Sequence, residues 1–75
     1  MTIGDLNPYQ DKTVLLRFHD GEVAKVKVAF VDVEHEDIIA DIVETSRPEK
    51  YKVAISSCAF AILAADLSSV EEISN

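Results

Sequence analysis

The chain has 75 residues, of which 48% are hydrophobic and 28% are charged, and its formal net charge is −7 at pH 7. This length predicts a single domain, residues 1–75, and no stretch is long and apolar enough to span a membrane. Two glycines in all exclude a glycine-rich phosphate-binding loop, and the lone Cys58 excludes an internal disulfide framework. Because the N-terminus lacks a basic region followed by an apolar run, we expect a cytoplasmic protein.

The negative charge lies in the second part of the chain. Residues 1–31 hold four acids and four bases, whereas residues 32–75 hold ten acids and three bases. Binding to nucleic acid depends on cations that neutralise phosphates, so this balance argues against a nucleic-acid partner.

The size of the chain favours self-association. Size scaling predicts burial of about 60% of the unfolded surface, which stabilises the fold by roughly 110 kcal/mol. Ordering the chain costs about 1.5 kcal/mol per residue, which is again roughly 110 kcal/mol. Since the two terms cancel, extra burial between copies would help, and we predict a homo-oligomer.

The first residues predict an arm that carries a turn or short helix. Asp5 or Asn7 would cap it, with Pro8 at the first helical position. Leu6 and Tyr9 lie three residues apart and would form an apolar anchor on the domain.

Residues 13–19 alternate between apolar and polar, which predicts a strand with Val14, Leu16 and Phe18 facing inward. Asp20-Gly21 follows. This dipeptide between alternating apolar runs predicts a hairpin with a two-residue turn, in which both residues adopt positive φ.

A second, long strand is predicted over residues 23–33. Val26, Val28 and Phe30 share one face, and the apolar positions then change parity to Val31 and Val33. A bend or bulge near residues 29–30 would produce this change, as in small closed barrels.

The remaining chain predicts three more segments with strand character. A polar turn at residues 34–37 leads into a strand over residues 38–43 with apolar side chains on both faces, so its outer face is available to a partner. Residues 44–52 predict a loop, because the residue before Pro48 is pushed out of helical geometry. Residues 54–67 are compatible with a helix, but the pattern favours two short strands, residues 60–63 and 70–73, joined by a tight turn at Asp66.

No group of residues predicts an enzyme. His19 and His35 do not stand at the spacing of a nucleophile–base pair with Ser56, Ser57 or Cys58, so we predict no catalytic residues. Cys58 lies in an apolar run and is expected to be a small buried hydrophobe.

Two polar clusters nevertheless leave alternatives open. The acidic cluster combines carboxylates with one imidazole, which are ligands for a hard cation or zinc. Its spacing matches no metal loop, so we expect a solvated hairpin tip with no metal and no cofactor. The cluster consists of Asp32, Glu34, His35, Glu36, Asp37 and Asp41.

The second cluster is basic. Arg17, Lys25 and Lys27 stand on the outer faces of the first two strands and would form either a solvated face or an RNA contact. The two tyrosines, Tyr9 and Tyr51, are remote from them in sequence, so the cluster lacks the interleaved aromatic residues that RNA-binding surfaces use for stacking.

The order of these elements resembles the Sm-like small β-barrels. The resemblance is clearest in the first Sm motif, where residues 14–18, Asp20-Gly21, the strand at 26–31, Asp32 and residues 37–39 follow the family's pattern. It covers residues 6–44 well and residues 58–73 weakly. The family has a glycine in the middle of its second strand, and this position falls near Val26 here. The family's asparagine is replaced by Asp37, and aligning Asp37 with it requires one extra residue after Asp32.

The second Sm motif departs further. The family's Arg-Gly-Asp/Asn would fall on Ala64-Ala65-Asp66, where the arginine and the glycine are missing. Those positions contact RNA in the family, so the resemblance implies the architecture more strongly than the activity.

Together these features predict an all-β fold, a five-stranded Sm-like barrel with a short N-terminal turn or helix. We expect a non-enzymatic interaction or scaffold module that self-associates and is open to a protein partner. Edge strands would pair between copies, as the resemblance implies and as unpaired edges invite. An RNA-binding Sm-like ring and a small-ligand or metal-binding accessory protein are the alternatives. The predicted interface residues are Phe60, Ile62, Leu63, Val70 and Ile73.

Overall fold

Five antiparallel strands form one sheet in a computed structural model, which describes residues 1–50 and 59–73. The sheet order is β4-β3-β2-β1-β5. A four-residue helix, α1 (Ile3–Leu6), and a 3₁₀ turn precede the sheet, and the mainly β fold is confirmed. The strands are β1 (Thr13–Phe18), β2 (Val23–Asp32), β3 (Asp37–Thr45), β4 (Ala59–Leu63) and β5 (Leu67–Glu72).

Alternation along the strands builds the core on one face of the sheet. The three inward residues of β1 are buried as predicted, and β2 and β3 contribute their own alternating sets. Leu6 is 1% exposed and Tyr9 packs against the same cluster, so the predicted N-terminal anchor is confirmed. The strand residues in the core are Val14, Leu16, Phe18, Ala24, Val26, Val28, Val31, Ile38, Ala40, Ile62 and Leu67.

The cap of the N-terminal helix differs from the prediction. Thr2, rather than Asp5 or Asn7, is the N-cap residue. The carboxylate of Asp5 accepts hydrogen bonds from the Thr2 backbone N–H at 3.2 Å and from its hydroxyl at 3.0 Å. These bonds favour the ionised form and lower the pKa of Asp5, the backbone bond most strongly. Pro8 lies inside the following 3₁₀ turn, Asn7–Tyr9, rather than opening a longer helix.

The first hairpin lies where the sequence predicts it, but its turn is of another kind. Of the two predicted turn residues, only Gly21 has a positive φ, at 96°, so the expectation that Asp20 shares this conformation is wrong. The Gly21 N–H donates to the Phe18 carbonyl at 3.1 Å, and the Phe18 N–H donates to the Glu22 carbonyl at 2.9 Å. These bonds close a three-residue loop, residues 19–21, in which glycine supplies the left-handed position.

The predicted bend in β2 is confirmed, and it turns Phe30 outward. Val28 pairs with Ala40 and Phe30 with Ile39, so Ala29 is an extra residue between two rungs. The prediction that Phe30 shares a face with Val26 and Val28 is therefore wrong: those two are buried, whereas Phe30 is 51% exposed. The parity change buries Val31, whereas Val33 lies in the turn beyond β2 and is 59% exposed.

The later segments extend the predicted strands. β3 starts at Asp37, one residue earlier than predicted, and continues through Glu44 and Thr45, where we predicted a loop; a 3₁₀ turn, Pro48–Lys50, follows. Beyond residue 58 the prediction of two short strands is confirmed, with a 3₁₀ turn, Ala64–Asp66, between them; β4 begins one residue earlier than predicted, and β5 begins three residues earlier and ends at Glu72. Residues 51–58, including Ser56, Ser57 and Cys58, lie outside the described residues.

The predicted closure into a barrel is not found among the described strands. β4 pairs with β3 and β5 pairs with β1, and no ladder joins β4 to β5. The sheet is strongly bent, because Leu63 and Leu67 are four residues apart and can be separated by no more than about 14 Å. In a flat sheet, the two outermost of five strands would lie about 19 Å apart. None of the helices in the described ranges has the length and apolar character needed to cross a bilayer.

Candidate interaction surface

Two edge strands are the most distinctive surface of the sheet. Within the described chain β4 pairs only with β3 and β5 only with β1, so these two strands are the edges of the sheet. Beside both edges the apolar core is incompletely covered, because Phe60 on β4 and Val70 on β5 are half-buried. At the start of β5 the Leu67 carbonyl already accepts a hydrogen bond from the N-terminal ammonium of Met1 at 2.9 Å, so the edge of β5 open to a partner lies further along the strand, beside Val70.

The five predicted interface residues differ in their exposure. Leu63 is 50% exposed, and Ile73, directly after β5, is half-buried. Ile62, by contrast, is 5% exposed and already belongs to the core of its own chain. An edge partner would thus meet Phe60 and Val70 beside the core and Leu63 on the outer face.

The three basic residues share the outer face of β1 and β2. Lys25 lies opposite Leu15, and Arg17 lies one rung further along, so the two bases are diagonal neighbours. On its other side β2 pairs with β3, where Glu44 opposes Lys25 and Asp41 opposes Lys27. Each lysine therefore has a carboxylate as its cross-strand neighbour, which reduces the positive potential of this face.

The acidic cluster surrounds the hairpin between β2 and β3. Asp32 and Asp37 oppose each other across the strands, which is unfavourable for two like charges. The ring Nδ1 of His35 lies 2.8 Å from the Asp32 carboxylate, and the His35 backbone N–H also donates to Asp32 at 3.1 Å. The bond to the Asp32 carboxylate raises the pKa of His35, and the same bond, first among several, lowers the pKa of Asp32.

One oxygen of this cluster is unusual. The Oδ1 atom of Asp37 is buried and meets no hydrogen-bond donor in the described chain. No group of three or more His, Cys, Asp or Glu side chains within residues 1–50 and 59–73 is arranged to hold a metal ion.

A polar network that the sequence analysis missed fixes the first hairpin. Glu22 is fully buried, and its carboxylate accepts a hydrogen bond from the Thr45 hydroxyl. The Thr45 hydroxyl oxygen accepts the N–H of Arg47 at 3.1 Å. The guanidinium of Arg47 then donates to the Asp20 carbonyl at 2.9 Å. We call these four residues the hairpin clamp, since they join the first turn to the end of β3.

The alternation of inward and outward side chains along β2 already indicates that Glu22 is buried. Glu22 stands two residues before Ala24, in the inward series with Val26 and Val28, so the alternation continues onto a carboxylate. A charged side chain at an inward position requires polar partners. The identity of those partners was not readable from the sequence, because Thr45 and Arg47 lie more than twenty positions away.

Two shallow depressions accompany these features. One of about 330 Å³ is lined by Leu15, Val23 and Lys25 together with the end of β3. The other, of about 240 Å³, lies between residues 18–20 and Asp66 and includes His19. The backbone N–H of His19 donates to the Asp66 carbonyl at 2.9 Å, which ties the first turn to the β4–β5 turn.

Comparison of the chain with protein-family models, with curated proteins and with solved structures finds no match. The functional argument therefore depends on the chain's own residues and geometry.

Proposed function

We propose that this protein is a non-enzymatic interaction module that self-associates by pairing β4 of one copy with β5 of the next. The observation that carries the proposal is that β4 and β5 are the two edge strands of one sheet and that each carries a half-buried apolar residue, Phe60 or Val70. Joining two different edges is a heterologous contact, which closes into a ring when the rotation between copies allows it. The resemblance to Sm-like barrels and the marginal size of the chain support the same proposal, and a cytoplasmic location remains our prediction.

The side chains beside the edges fit this pairing. Phe60 and Val70 leave part of their apolar surface exposed in one chain, and pairing would bring them to a shared boundary of two cores. Burial of such surface stabilises an interface by about 25 cal/mol per Å². RNA binding is less well supported, because Lys25 and Lys27 each face a carboxylate across the strands.

A proline on the free side of β5 provides the test. The Ile73 N–H donates to the Thr13 carbonyl of β1. Because alternate residues of a strand turn their N–H groups to opposite sides, the Glu72 N–H points to the free edge. Glu72→Pro removes this donor while leaving the β1 side intact, and Glu72→Ala is the matched control, which loses the same side chain and keeps the N–H.

We expect light scattering to give an oligomer for the native protein and for Glu72→Ala, and a dissociation constant at least about tenfold weaker for Glu72→Pro. Circular dichroism checks that the proline variant remains folded. A monomeric native protein at micromolar concentration, or equal masses for the two variants, would refute the proposal.

A further inference from the structure

An apolar patch lies on the outer face of the sheet, away from the core. The bulge at Ala29 places Phe30 opposite Ile39, and Ile39 in turn opposes Ala61, so the three form one row across β2, β3 and β4. Leu63 is next along the same face of β4. Phe30 and Leu63 are about half exposed, at 51% and 50%. We call these four residues the outer patch.

Carboxylates flank the outer patch on both sides. The adjoining row towards the hairpin tip pairs Asp32 with Asp37 and continues to Leu63 on β4, and the adjoining row in the other direction pairs Lys27 with Asp41. The two rows therefore hold three acids and one base. The Asp37 oxygen that lacks a donor belongs to this rim.

We propose that the outer patch docks a protein segment in which apolar side chains are flanked by lysine or arginine. The apolar row would receive the apolar side chains, and the cations would approach the carboxylates of the rim. A second copy of this chain fits less well, since its net charge of −7 would bring further acids to an acidic rim. The proposal concerns the outer face of the sheet. Leu63 also lies where an edge partner would contact β4, so the test uses Phe30, which lies on β2.

Fluorescence anisotropy with a short labelled peptide that alternates lysine with leucine and phenylalanine tests this assignment. Phe30→Ser should weaken binding at least about tenfold, as expected for an aromatic anchor. Val43→Ser is the matched control, because Val43 is 57% exposed on the same strand as Ile39 but about 13 Å further along. We expect less than about a twofold change for this control.

A second pair of variants separates the rim from overall charge. Asp41→Asn and Glu71→Gln each remove one negative charge, but Glu71 lies on β5, opposite Leu15. Asp41→Asn should weaken peptide binding about threefold and Glu71→Gln less, and a peptide with glutamate in place of lysine should not bind.

Several results would overturn the proposal. The cationic peptide could fail to bind, the two serine variants could weaken it equally, or the two charge variants could have the same effect. A fall in the mass of the free protein on Phe30→Ser, with an unchanged melting temperature, would instead assign the patch to a second copy.

Discussion

The two hairpin turns of the sheet are built in different ways. The turn between β1 and β2, residues 19–21, is joined to the distant end of β3 by the hairpin clamp, whose Glu22 is fully buried. The turn between β2 and β3, residues 33–36, is exposed, and its main side-chain bond is the local pair of His35 and Asp32. Positive φ falls on Gly21 in the first turn and on Glu36 in the second.

This difference indicates where the stability of the hairpins resides. Contacts between residues far apart in sequence, once they are buried, resist unfolding more than exposed pairs do. The first turn should therefore be sensitive to substitution. The second should tolerate it, which suits a tip that adjoins the acidic rim of the outer patch.

The largest expected effect is that of Glu22→Ala. It leaves a cavity in the core and removes the acceptor of the Thr45 hydroxyl, so the free energy of unfolding should fall by about 2 kcal/mol. Thermal unfolding followed by circular dichroism measures the loss. Glu34→Ala, at the exposed second tip, is the control and should change stability by less than about 0.5 kcal/mol. Equal losses in both variants would remove the contrast between the turns.

Substitutions at the two turn positions with positive φ should change the free energy of unfolding in opposite directions. Gly21→Ala should cost about 1 kcal/mol, because a side chain disfavours a φ of 96°. The nearest atom to the added methyl group would be an Arg47 nitrogen at 3.8 Å, so the cost is conformational rather than steric. Chemical unfolding of this variant measures it.

The reciprocal change, Glu36→Gly, should stabilise by about 0.5 kcal/mol, because glycine adopts a φ of 55° without strain. Glu36→Ala loses the same charge and keeps the strain, so it should show no such gain. A loss on Glu36→Gly, or a gain on Gly21→Ala, would show that the two φ values do not govern the turns.

Local patterns in the sequence predict the strands better than they predict the surfaces. The alternation in β1, the position of the first hairpin and the bend near Ala29 are all confirmed by the register. Each of these depends on neighbouring residues. The predicted type of the first turn was wrong, because Asp-Gly is compatible both with a two-residue turn and with the three-residue loop that forms here.

The outer patch and the hairpin clamp required tertiary information. By simple alternation Phe30 would face inward with Val26 and Val28. The extra residue in β2, Ala29, turns it outward, and its presence follows only from the pairing with β3. The partners of Glu22 come from the end of β3, which we predicted to be a loop. Whether β4 and β5 pair between copies depends on a second chain, which strand patterns alone do not specify.

The smallest effect concerns the second turn and depends on pH. The pKa of His35 is raised above its ordinary value of 6.5, so its stabilising contribution is complete below that pH and is lost as pH rises through the folded-state pKa. The pKa of Asp32 is lowered from its ordinary value of 3.8, so its contribution is complete above 3.8 and is lost as pH falls through the folded-state pKa. The stability difference between the native protein and His35→Ala should therefore be largest between pH 3.8 and 6.5.

Nuclear magnetic resonance titration of the His35 ring isolates the cause. Replacing Asp32 with asparagine removes the carboxylate 2.8 Å from Nδ1, so the His35 pKa should fall towards its ordinary value. Because His35 is 69% exposed, added salt should shrink the difference between the native protein and Asp32→Asn. The bond between Glu22 and Thr45 in the first turn, whose carboxylate is buried, should be far less sensitive to salt. An unchanged His35 midpoint in Asp32→Asn would mean that the local pair does not hold the second turn, and the contrast with the first would then depend on the clamp alone.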